Sequence, residues 1–364
     1  MKKKLVSLIA AVSVLSMTLV GCGAGDSNGG SKTNTAEIGL VTATGTIDDK
    51  SFNQGAWEGL KEYADANNIT YKYYKPTDQS TVAIEKAIDL AVAGGAKTVV
   101  CPGYLFETPL FNAQTKYPDV TFVHLDGAPT DENGNQVIED NVVSYNYAEE
   151  QAGFLAGYAA VMDGYRKLGF MGGIAVPNVV RYGYGFVQGA DYAAKELGLS
   201  KDEVQINYTY VGNFDATPDN TVKASSWYTS GTEVIFACGG SVGNSVMSAA
   251  ESAGGKVIGV DIDQSSESET VITSAMKNIN KTVFDAITEY YNNALQTGTT
   301  TMLDVQSEGV LLPMETSRFN QFTKAQYDAI YSELVAGNIT ILRDTDADSA
   351  EKLPVELVTV VESN

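Results

Sequence analysis

Residues 37–67 read EIGLVTATGTIDDKSFNQGAWEGLKEYADAN and carry the pattern that decides the fold. The first part, residues 37–42, is a short apolar run, which predicts a buried strand. After a polar turn, residues 53–67 place Trp57 and Leu60 at helical spacing, which predicts an amphipathic helix. A short apolar strand followed by a helix is the first half of a βαβ unit, so this stretch predicts a parallel sheet.

The same alternation continues along the chain and restarts after Glu149. Further strands are predicted at 71–74, 98–101, 121–125, 167–172, 205–211, 234–238, 256–260 and 272–276. Further helices are predicted at 82–93, 151–162, 186–197, 242–252 and 281–295. Two α/β halves in succession predict two lobes around a cleft. In sheets of this kind, ligands bind at the carboxyl ends of the strands.

Carboxylates or glycines follow five of the predicted strands. They are Asp48 and Asp49, Gly103, Asp126, Gly239 with Gly240, and Asp261. Because the carboxyl ends of parallel strands share one edge, we expect these residues to lie near a ligand. Strand-to-helix loops are also rich in Asp and Gly as turn and capping residues. Each of them alone therefore also fits a structural role.

Composition limits the classes of function. The 364 residues are 44% hydrophobic, which is enough for two medium domains with real cores. The formal net charge is -21, and without residues 1–21, which hold three lysines and no acid, it is three units more negative. Such an acidic chain is a poor partner for nucleic acids and phosphate-rich ligands.

The N-terminus has the features of a secretory signal. Lys2, Lys3 and Lys4 precede an apolar run that ends in Gly21 and Cys22. A cysteine after a small residue resembles a bacterial lipobox, in which the thiol is diacylated and becomes the mature N-terminus. We therefore expect a signal peptide at 1–21, a flexible tether at 22–36, and a lipid anchor on the extracytoplasmic face of the cell membrane.

The remaining cysteines and the one histidine do not suggest catalysis or a metal site. Cys101 and Cys238 each end an apolar run, where buried free thiols are common. No CxxC or Cys/His cluster exists, which argues against zinc. A Ser-His-Asp triad would have to use His124, and no GxSxG motif accompanies it.

Several motifs resemble the basic membrane protein family, the PnrA-like group of ABC-transporter substrate-binding lipoproteins. The first is IDDKSFNQ at 47–54, followed by AWEGL at 56–60. The others are YPDV at 117–120, GFLAGY at 153–158, GFVQGA at 185–190, IGVDIDQ at 258–264 and TSAMK at 273–277. These motifs occur in order over nearly the whole chain after the tether.

The resemblance implies a type I periplasmic-binding-protein fold, in which two Rossmann-like lobes are joined by a three-segment hinge. Lobe one would hold 37–146 and 272–297, and lobe two would hold 147–271 and 298–364. It also implies binding of a purine nucleoside (adenosine, guanosine or inosine) for import through an ABC permease. No cofactor and no enzymatic activity are implied, and a monomer is expected.

The resemblance further implies that two aromatic residues sandwich the base. The matching positions are Trp57 and Phe214, with Phe52 as the substitute for Trp57. Stacking of a base on an aromatic ring contributes about 1–3 kcal/mol. Trp57 also fits the core face of its own helix. Phe214 lies in a polar loop, where an aromatic side chain has less structural reason to occur.

The polar candidates are assigned on the chemistry of a ribose and a base edge. Asp261 is expected to accept hydrogen bonds from the ribose hydroxyls, and Lys277 to donate to the sugar and offset buried carboxylates. Asp126, Asp48 or Asp49, and Asn53 are expected at base edges or hydroxyls, and Gly240 permits close approach of the backbone. A helix-capping role would account for the positions of Asp261 and Asn53 equally simply. Exposure to solvent would account for Lys277. Tyr182 and Tyr184 are further aromatic residues that could enter the site.

Two other functions fit part of the pattern. A sugar or autoinducer receptor of the same fold would use the same aspartates and Trp57. A nucleoside hydrolase would need Asp48, Asp49, Asp261 and Asp263 to form an acidic calcium site, but no general acid stands out beside them.

Overall fold

The structure is a computed structural model that describes residues 35–363. Its strands are β1 (Ile38–Val41), β2 (Tyr71–Tyr74), β3 (Thr98–Pro102), β4 (Thr121–Leu125), β5 (Val142–Tyr147), β6 (Lys167–Gly172), β7 (Val204–Tyr210), β8 (Val234–Cys238), β9 (Lys256–Asp261), β10 (Val271–Lys277), β11 (Thr299–Leu303), β12 (Val310–Leu311) and β13 (Val358–Glu362). Its α-helices are α1 (Phe52–Asn67), α2 (Thr81–Ala93), α3 (Glu107–Lys116), α4 (Glu149–Met162), α5 (Pro177–Glu196), α6 (Pro218–Thr229), α7 (Val242–Ala253), α8 (Ile279–Tyr291) and α9 (Lys324–Val335). None of these helices is long and apolar enough to cross a membrane.

The strands form two sheets with the same internal order. The first sheet runs β11-β5-β4-β3-β1-β2, and the second runs β12-β10-β9-β8-β6-β7-β13. Strands β1 to β5 therefore correspond in position to β6 to β10. All pairings are parallel except that of β10 with β12. This is the predicted two-lobe α/β architecture, in which each lobe consists of one sheet with the helices packed on it.

The apolar runs in the sequence explain the strands. β1, β3 and β8 are buried along their whole length, as expected for strands of a parallel sheet with both faces covered. Cys101 and Cys238 lie in two of these strands as buried free thiols, which confirms the prediction made for them. His124, in β4, is also buried, and burial lowers the pKa of its imidazole to about 4.

Helices α4 and α5 of the second lobe pack with their backbones in contact. A Cβ atom on Gly153 would lie 2.1 Å from the carbonyl oxygen of Tyr182, and one on Gly157 would lie 2.0 Å from that of Phe186. The contact is reciprocal, because Gly185 and Gly189 approach the backbone of α4 equally closely. The four glycines are therefore required by helix packing, and side chains at these positions would force the helices apart.

The chain crosses between the lobes three times, after β5, after β10 and after β11. Helix α8 returns to the first lobe and packs on α1, where the rings of Tyr63 and Phe284 have centroids 5.6 Å apart. Two predicted lobe limits need correction. Residues 272–277 stay in the second lobe because β10 pairs with β9, and the return to the first lobe extends to Leu303 because β11 pairs with β5.

The N-terminal predictions fall mainly outside the described residues. The signal peptide, Cys22 and most of the tether lie in residues 1–34. Ala36, assigned to the tether, is instead buried, and its amide donates to the carbonyl oxygen of Gly94. The folded body therefore begins at or before Ala36.

Candidate functional site

The strand ends of both sheets meet at one cleft of about 700 Å³, a volume that includes its open mouth. Seven of the ten predicted ligand-binding residues line it: Asp49, Phe52, Asn53, Asp126, Phe214, Gly240 and Asp261. The first four come from the first lobe and the last three from the second. The remaining predicted residues, Asp48, Trp57 and Lys277, do not line the cleft.

Asp126 and Asp261 lie at the ends of the corresponding strands β4 and β9. Both have left-handed backbone conformations, with φ of 61° and 67°, which are uncommon for residues other than glycine. This conformation turns the chain sharply at the strand end. Each carboxylate lines the cleft while its residue remains more than nine-tenths buried.

Asp126 is held by groups from the opposite lobe. Its Oδ2 accepts from Lys277 Nζ at 2.6 Å and from Asn178 Nδ2 at 3.0 Å. Its Oδ1 is buried and has no hydrogen-bond partner among the described residues, and the same holds for Asn178 Oδ1. Because a buried acceptor without a partner is costly, these oxygens are suited to a ligand that donates hydrogen bonds.

Lys277 lies behind the cleft wall and is 1% exposed. Besides Asp126, it forms an ion pair of 3.0 Å with Glu149, and the rings of Phe52, Tyr147 and Tyr182 surround its ammonium at 5.0–5.4 Å. Burial lowers the pKa of Lys277, but nearby carboxylates outweigh that effect and raise it above its ordinary value. The lysine is therefore a charged group whose partners are already in place, and the alternative of a solvated lysine is wrong.

Asp261 has a different set of partners. Its Oδ2 accepts from the hydroxyl of Ser51, in the first lobe, at 2.5 Å. Burial raises the pKa of Asp261 to about 6, and the charge of Lys277 and the Ser51 hydrogen bond only partly oppose that rise. The second lobe thus presents a carboxyl group whose pKa, about 6, lies well above the ordinary value of an aspartate.

Asp49 and Asn53 line the cleft but are committed to local structure. The Asp49 carboxylate accepts from the backbone amides of Ser51, Asn53 and Gln54 and from Asn53 Nδ2, at 2.7–3.1 Å. Asp49 therefore caps the start of α1. Asn53 Nδ2 also donates to the carbonyl oxygen of Thr44, while its Oδ1 makes no hydrogen bond within residues 35–363.

Half-buried aromatic rings line the cleft from both lobes. Phe52 and Tyr104 come from the first lobe, and Phe214 comes from the second. The loop of Phe214 is fixed by glycines: a Cβ atom on Gly173 would lie 2.5 Å from the Phe214 ring, and Ser241 donates its amide to the Phe214 carbonyl. Gly240 has φ of 53°, so a side chain there would be strained.

Two predicted residues lie elsewhere. Trp57 packs against Tyr71 and Tyr73 of the edge strand β2, with ring centroids 5.3 and 5.8 Å apart, because it is on the face of α1 that turns away from the cleft. Asp48 is exposed, since the turn buries the carboxylate of Asp49 instead. The structure therefore corrects both expectations and leaves Phe52 as the aromatic residue of α1 at the site.

Sequence reasoning missed several residues of the cleft and its surroundings. These are Thr44, Tyr104, Val176, Asn178, Val179 and Ser241 in the cleft wall, and Ser51 and Glu149 behind it. Tyr182 lines the cleft, whereas Tyr184 does not. The position of Asn178 and Glu149 in the first turns of α5 and α4 was a usable signal, because helix starts after parallel strands point to the ligand edge.

The site offers no metal centre. Within residues 35–363, no group of three or more His, Cys, Asp or Glu side chains is arranged to hold a metal ion. A calcium site built from Asp48, Asp49, Asp261 and Asp263 is therefore not formed here. Asp263 instead accepts from the hydroxyl of Thr316 at 2.6 Å.

Comparisons with known proteins agree with this geometry. A family model described as "ABC transporter substrate-binding protein PnrA-like" matches residues 36–342. The chain is 27% identical to the "ABC transporter nucleoside-binding protein BmpA" of Lactococcus lactis subsp. cremoris (strain MG1363), over 94% of this chain and 99% of that protein. It is 26% identical to "Basic membrane protein D" of Borreliella burgdorferi (strain JD1), over 86% of this chain and 87% of that protein.

Among solved structures, an ABC transporter solute-binding protein from Aeropyrum pernix K1 superposes with a TM-score of 0.74. The two are 21% identical, and the match covers 86% of this chain and 95% of that one. A solute-binding protein from Conexibacter woesei DSM 14684 has a TM-score of 0.66 at 21% identity, over 85% of this chain and 99% of that one. At this level of identity the match establishes the fold, which is that of ABC solute-binding proteins.

Proposed function

This chain belongs to the PnrA-like family of ABC transporter substrate-binding proteins, and on that premise we propose that it binds purine nucleosides and delivers them to an ABC permease for import. Members of this family are binding proteins, not enzymes, and substrate-binding proteins of ABC transporters work outside the cytoplasmic membrane. The printed name of the L. lactis relative, which includes nucleoside binding, supports the choice of ligand.

The observation that carries the proposal is a cleft with an aromatic ring from each lobe and a carboxylate from each lobe. Phe52 and Phe214 supply flat apolar surface for a base, and Asp126 and Asp261 supply acceptors for ribose hydroxyls or base N–H groups. No lysine or arginine among residues 35–363 lines the cleft, and Lys277, behind its wall, is already paired with Asp126 and Glu149. This combination suits an uncharged, donor-rich aromatic ligand and disfavours phosphate.

Titration calorimetry on ligand-free protein, unfolded and refolded to remove bound ligand, tests the proposal. Adenosine, guanosine and inosine are compared with the free bases, ribose and the nucleoside 5′-monophosphates. We expect a Kd of about 1 μM or lower for at least one nucleoside, with nucleotides binding far more weakly. Ribose binding as tightly as the nucleosides would instead favour a sugar receptor.

We further propose that the two lobes close over the ligand about the three crossings that join them. Closure by hinge bending is the usual motion of two-lobe binding proteins. Small-angle scattering of the ligand-free protein, with and without the nucleoside that binds best, measures it. A radius of gyration that falls on binding is expected, and an unchanged value would contradict closure.

The proposal also includes a lipid anchor on Cys22, which lies outside the described residues. The full-length protein should partition with membranes, and its mature N-terminal peptide should carry the mass of a diacylated cysteine. Cys22→Ala should abolish the diacylated peptide, because the variant has no thiol to acylate. A mature N-terminal peptide of the wild-type protein that lacks the mass of the diacyl group would contradict the anchor.

A further inference from the structure

Among residues 35–363, Lys277 contacts two carboxylates, and of these Asp126 lines the cleft whereas Glu149 does not. Glu149 is the first residue of α4 and is 1% exposed. Its Oε1 lies 3.0 Å from Lys277 Nζ, and its Oε2 lies 3.3 Å from Arg181 Nη1. Because both oxygens already face cations, Glu149 is not free to bind a ligand directly.

The charges around Glu149 form a connected series across the interface of the lobes. Arg181 contacts Asp344 at 2.6 Å as well as Glu149, and Lys277 contacts Asp126 at 2.6 Å as well as Glu149. Glu149 therefore separates two cations that would otherwise face each other in a buried site. Carboxylates and cations thus alternate from Asp344, near the surface of the second lobe, to Asp126 in the cleft.

Lys277 contacts both Asp126 and Glu149, and this sharing affects which oxygen of Asp126 remains available in the cleft. Asp126 engages Lys277 and Asn178 through Oδ2 alone, and its Oδ1 has no partner among the described residues. If Glu149 lost its charge, Lys277 would retain Asp126 as its single directly contacting carboxylate. The ammonium would then be drawn towards both oxygens of Asp126 and would occupy the one available to a ligand.

We propose that Glu149 is a positioning residue for ligand binding, which holds Lys277 to one side so that Asp126 keeps Oδ1 free for a hydrogen-bond donor of the ligand. The inference rests on the proposed function, since it concerns how the same cleft binds a nucleoside. Glu149 acts through Lys277 and Asp126 without touching the ligand.

The test compares Glu149→Gln with Glu150→Gln by titration calorimetry, using the nucleoside that the wild-type protein binds best. Glu150 is a matched control because it is the next residue of α4, is also buried, and pairs with Arg343 instead of Lys277. We expect Glu149→Gln to weaken binding about 10-fold or more, the effect of losing a charge-assisted hydrogen bond, while Glu150→Gln stays within about 2-fold.

A double-mutant cycle separates positioning from a general effect on the fold. In the Asp126→Asn background, Glu149→Gln should weaken binding by less than about 2-fold. The reason is that the carboxylate of residue 126, whose Oδ1 Glu149 keeps free in the wild-type protein, is already gone. A purely structural role would lower the melting temperature and leave the Kd, measured well below that temperature, unchanged. An effect on binding that is independent of Asp126 would instead give losses that multiply. If Glu149→Gln does not fold, Glu149→Asp, which withdraws the carboxylate from both cations, replaces it in the same measurements.

The outcomes distinguish the two proposals. If the wild-type protein binds no nucleoside, the proposed function fails and the inference fails with it. If the wild-type protein binds and Glu149→Gln binds equally well, or if its loss multiplies with that of Asp126→Asn, the inference alone is overturned.

Discussion

Asp126 in the first lobe and Asp261 in the second occupy corresponding places and have different partners. Both end equivalent strands, with left-handed backbones and buried carboxylates. Asp126 is contacted by the ammonium of Lys277, whereas Asp261 is contacted by the hydroxyl of Ser51. In each case the contact comes from the opposite lobe. The comparison shows that the fold fixes where a carboxylate is presented, while the facing lobe determines its charge environment.

The largest effect on stability is expected from replacing Lys277, the cation that contacts Asp126. Lys277→Met should lower the free energy of unfolding by about 3–5 kcal/mol, because it leaves Asp126 and Glu149 buried without their shared cation. Urea unfolding of the ligand-free protein at pH 7 measures this. The double variant Lys277→Met/Glu149→Gln should recover part of the loss, and no recovery would mean that packing, not charge, is responsible.

The next largest effect is expected on nucleoside affinity, when an aromatic residue of the cleft is removed. Phe214→Ala should weaken nucleoside binding by about 1–3 kcal/mol through loss of stacking. Trp57→Ala is the control, because Trp57 packs on Tyr71 and Tyr73 away from the cleft and should change stability but not affinity. Titration calorimetry measures the loss of affinity in both variants. A larger loss for Trp57→Ala than for Phe214→Ala would overturn the assignment of Phe214 as a stacking ring.

The raised pKa of Asp261 gives a pH dependence. The folded protein holds a proton on Asp261 up to a pKa of about 6, above its ordinary value of 3.8, so this group stabilises the fold at low pH and that contribution is lost as pH rises through about 6. Ligand binding should respond in the opposite sense, since the ionised form accepts hydrogen bonds better. Affinity should therefore fall below about pH 6.

Asp261→Asn provides the control for this pH dependence. Glu150 also has a pKa raised to about 6 by burial, so the dependence of stability on pH is not specific to Asp261 and the affinity profile is the one to compare. Calorimetric titrations between about pH 5 and 8 should show a step in wild type that is absent from the weaker binding of Asp261→Asn. Parallel profiles for the two proteins would show that another group is responsible.

The smallest effect should come from removing the Ser51 hydroxyl, which contacts Asp261. Ser51→Ala removes one hydrogen bond to Asp261 and should cost about 1–2 kcal/mol of stability, less than Lys277→Met. It should also raise the pKa of Asp261 further, because that hydrogen bond favours the ionised form. Urea unfolding measures the first effect, and the midpoint of the affinity profile measures the second. If Ser51→Ala and Lys277→Met lowered the free energy of unfolding equally, the proposed difference between the Asp261 and Asp126 environments would be wrong.

The sequence was sufficient for the positions that depend on strand ends. Short apolar runs located β2, β4, β6 and β8 with their observed bounds, and the rule for parallel sheets brought Asp49, Gly103, Asp126, Gly240 and Asp261 to one cleft. The reason is physical: strand ends are determined by local pattern, and parallel strands align their ends.

Contacts between the lobes could not be predicted in the same way. Ser51 and Asp261 are 210 positions apart, and Lys277 and Asp126 are 151 apart, so no local pattern links them. Trp57 was misassigned because α1 also contacts the aromatic side chains of the edge strand β2, so an apolar residue on this helix need not face the cleft. Helix α9 was missed although Thr323 and Gln326 form a capping box, a local signal that was available in the sequence.

The glycine contacts between α4 and α5 have a mechanical consequence. No layer of side chains separates these two helices, so the pair cannot adjust by exchanging rotamers. Glu149 begins one helix and Asn178 lies in the first turn of the other, which means that both groups are mounted on a single stiff body. Evolution of a different ligand preference would then proceed by replacing residues at the helix tips, and the spacing of the helix axes would remain constant among descendants.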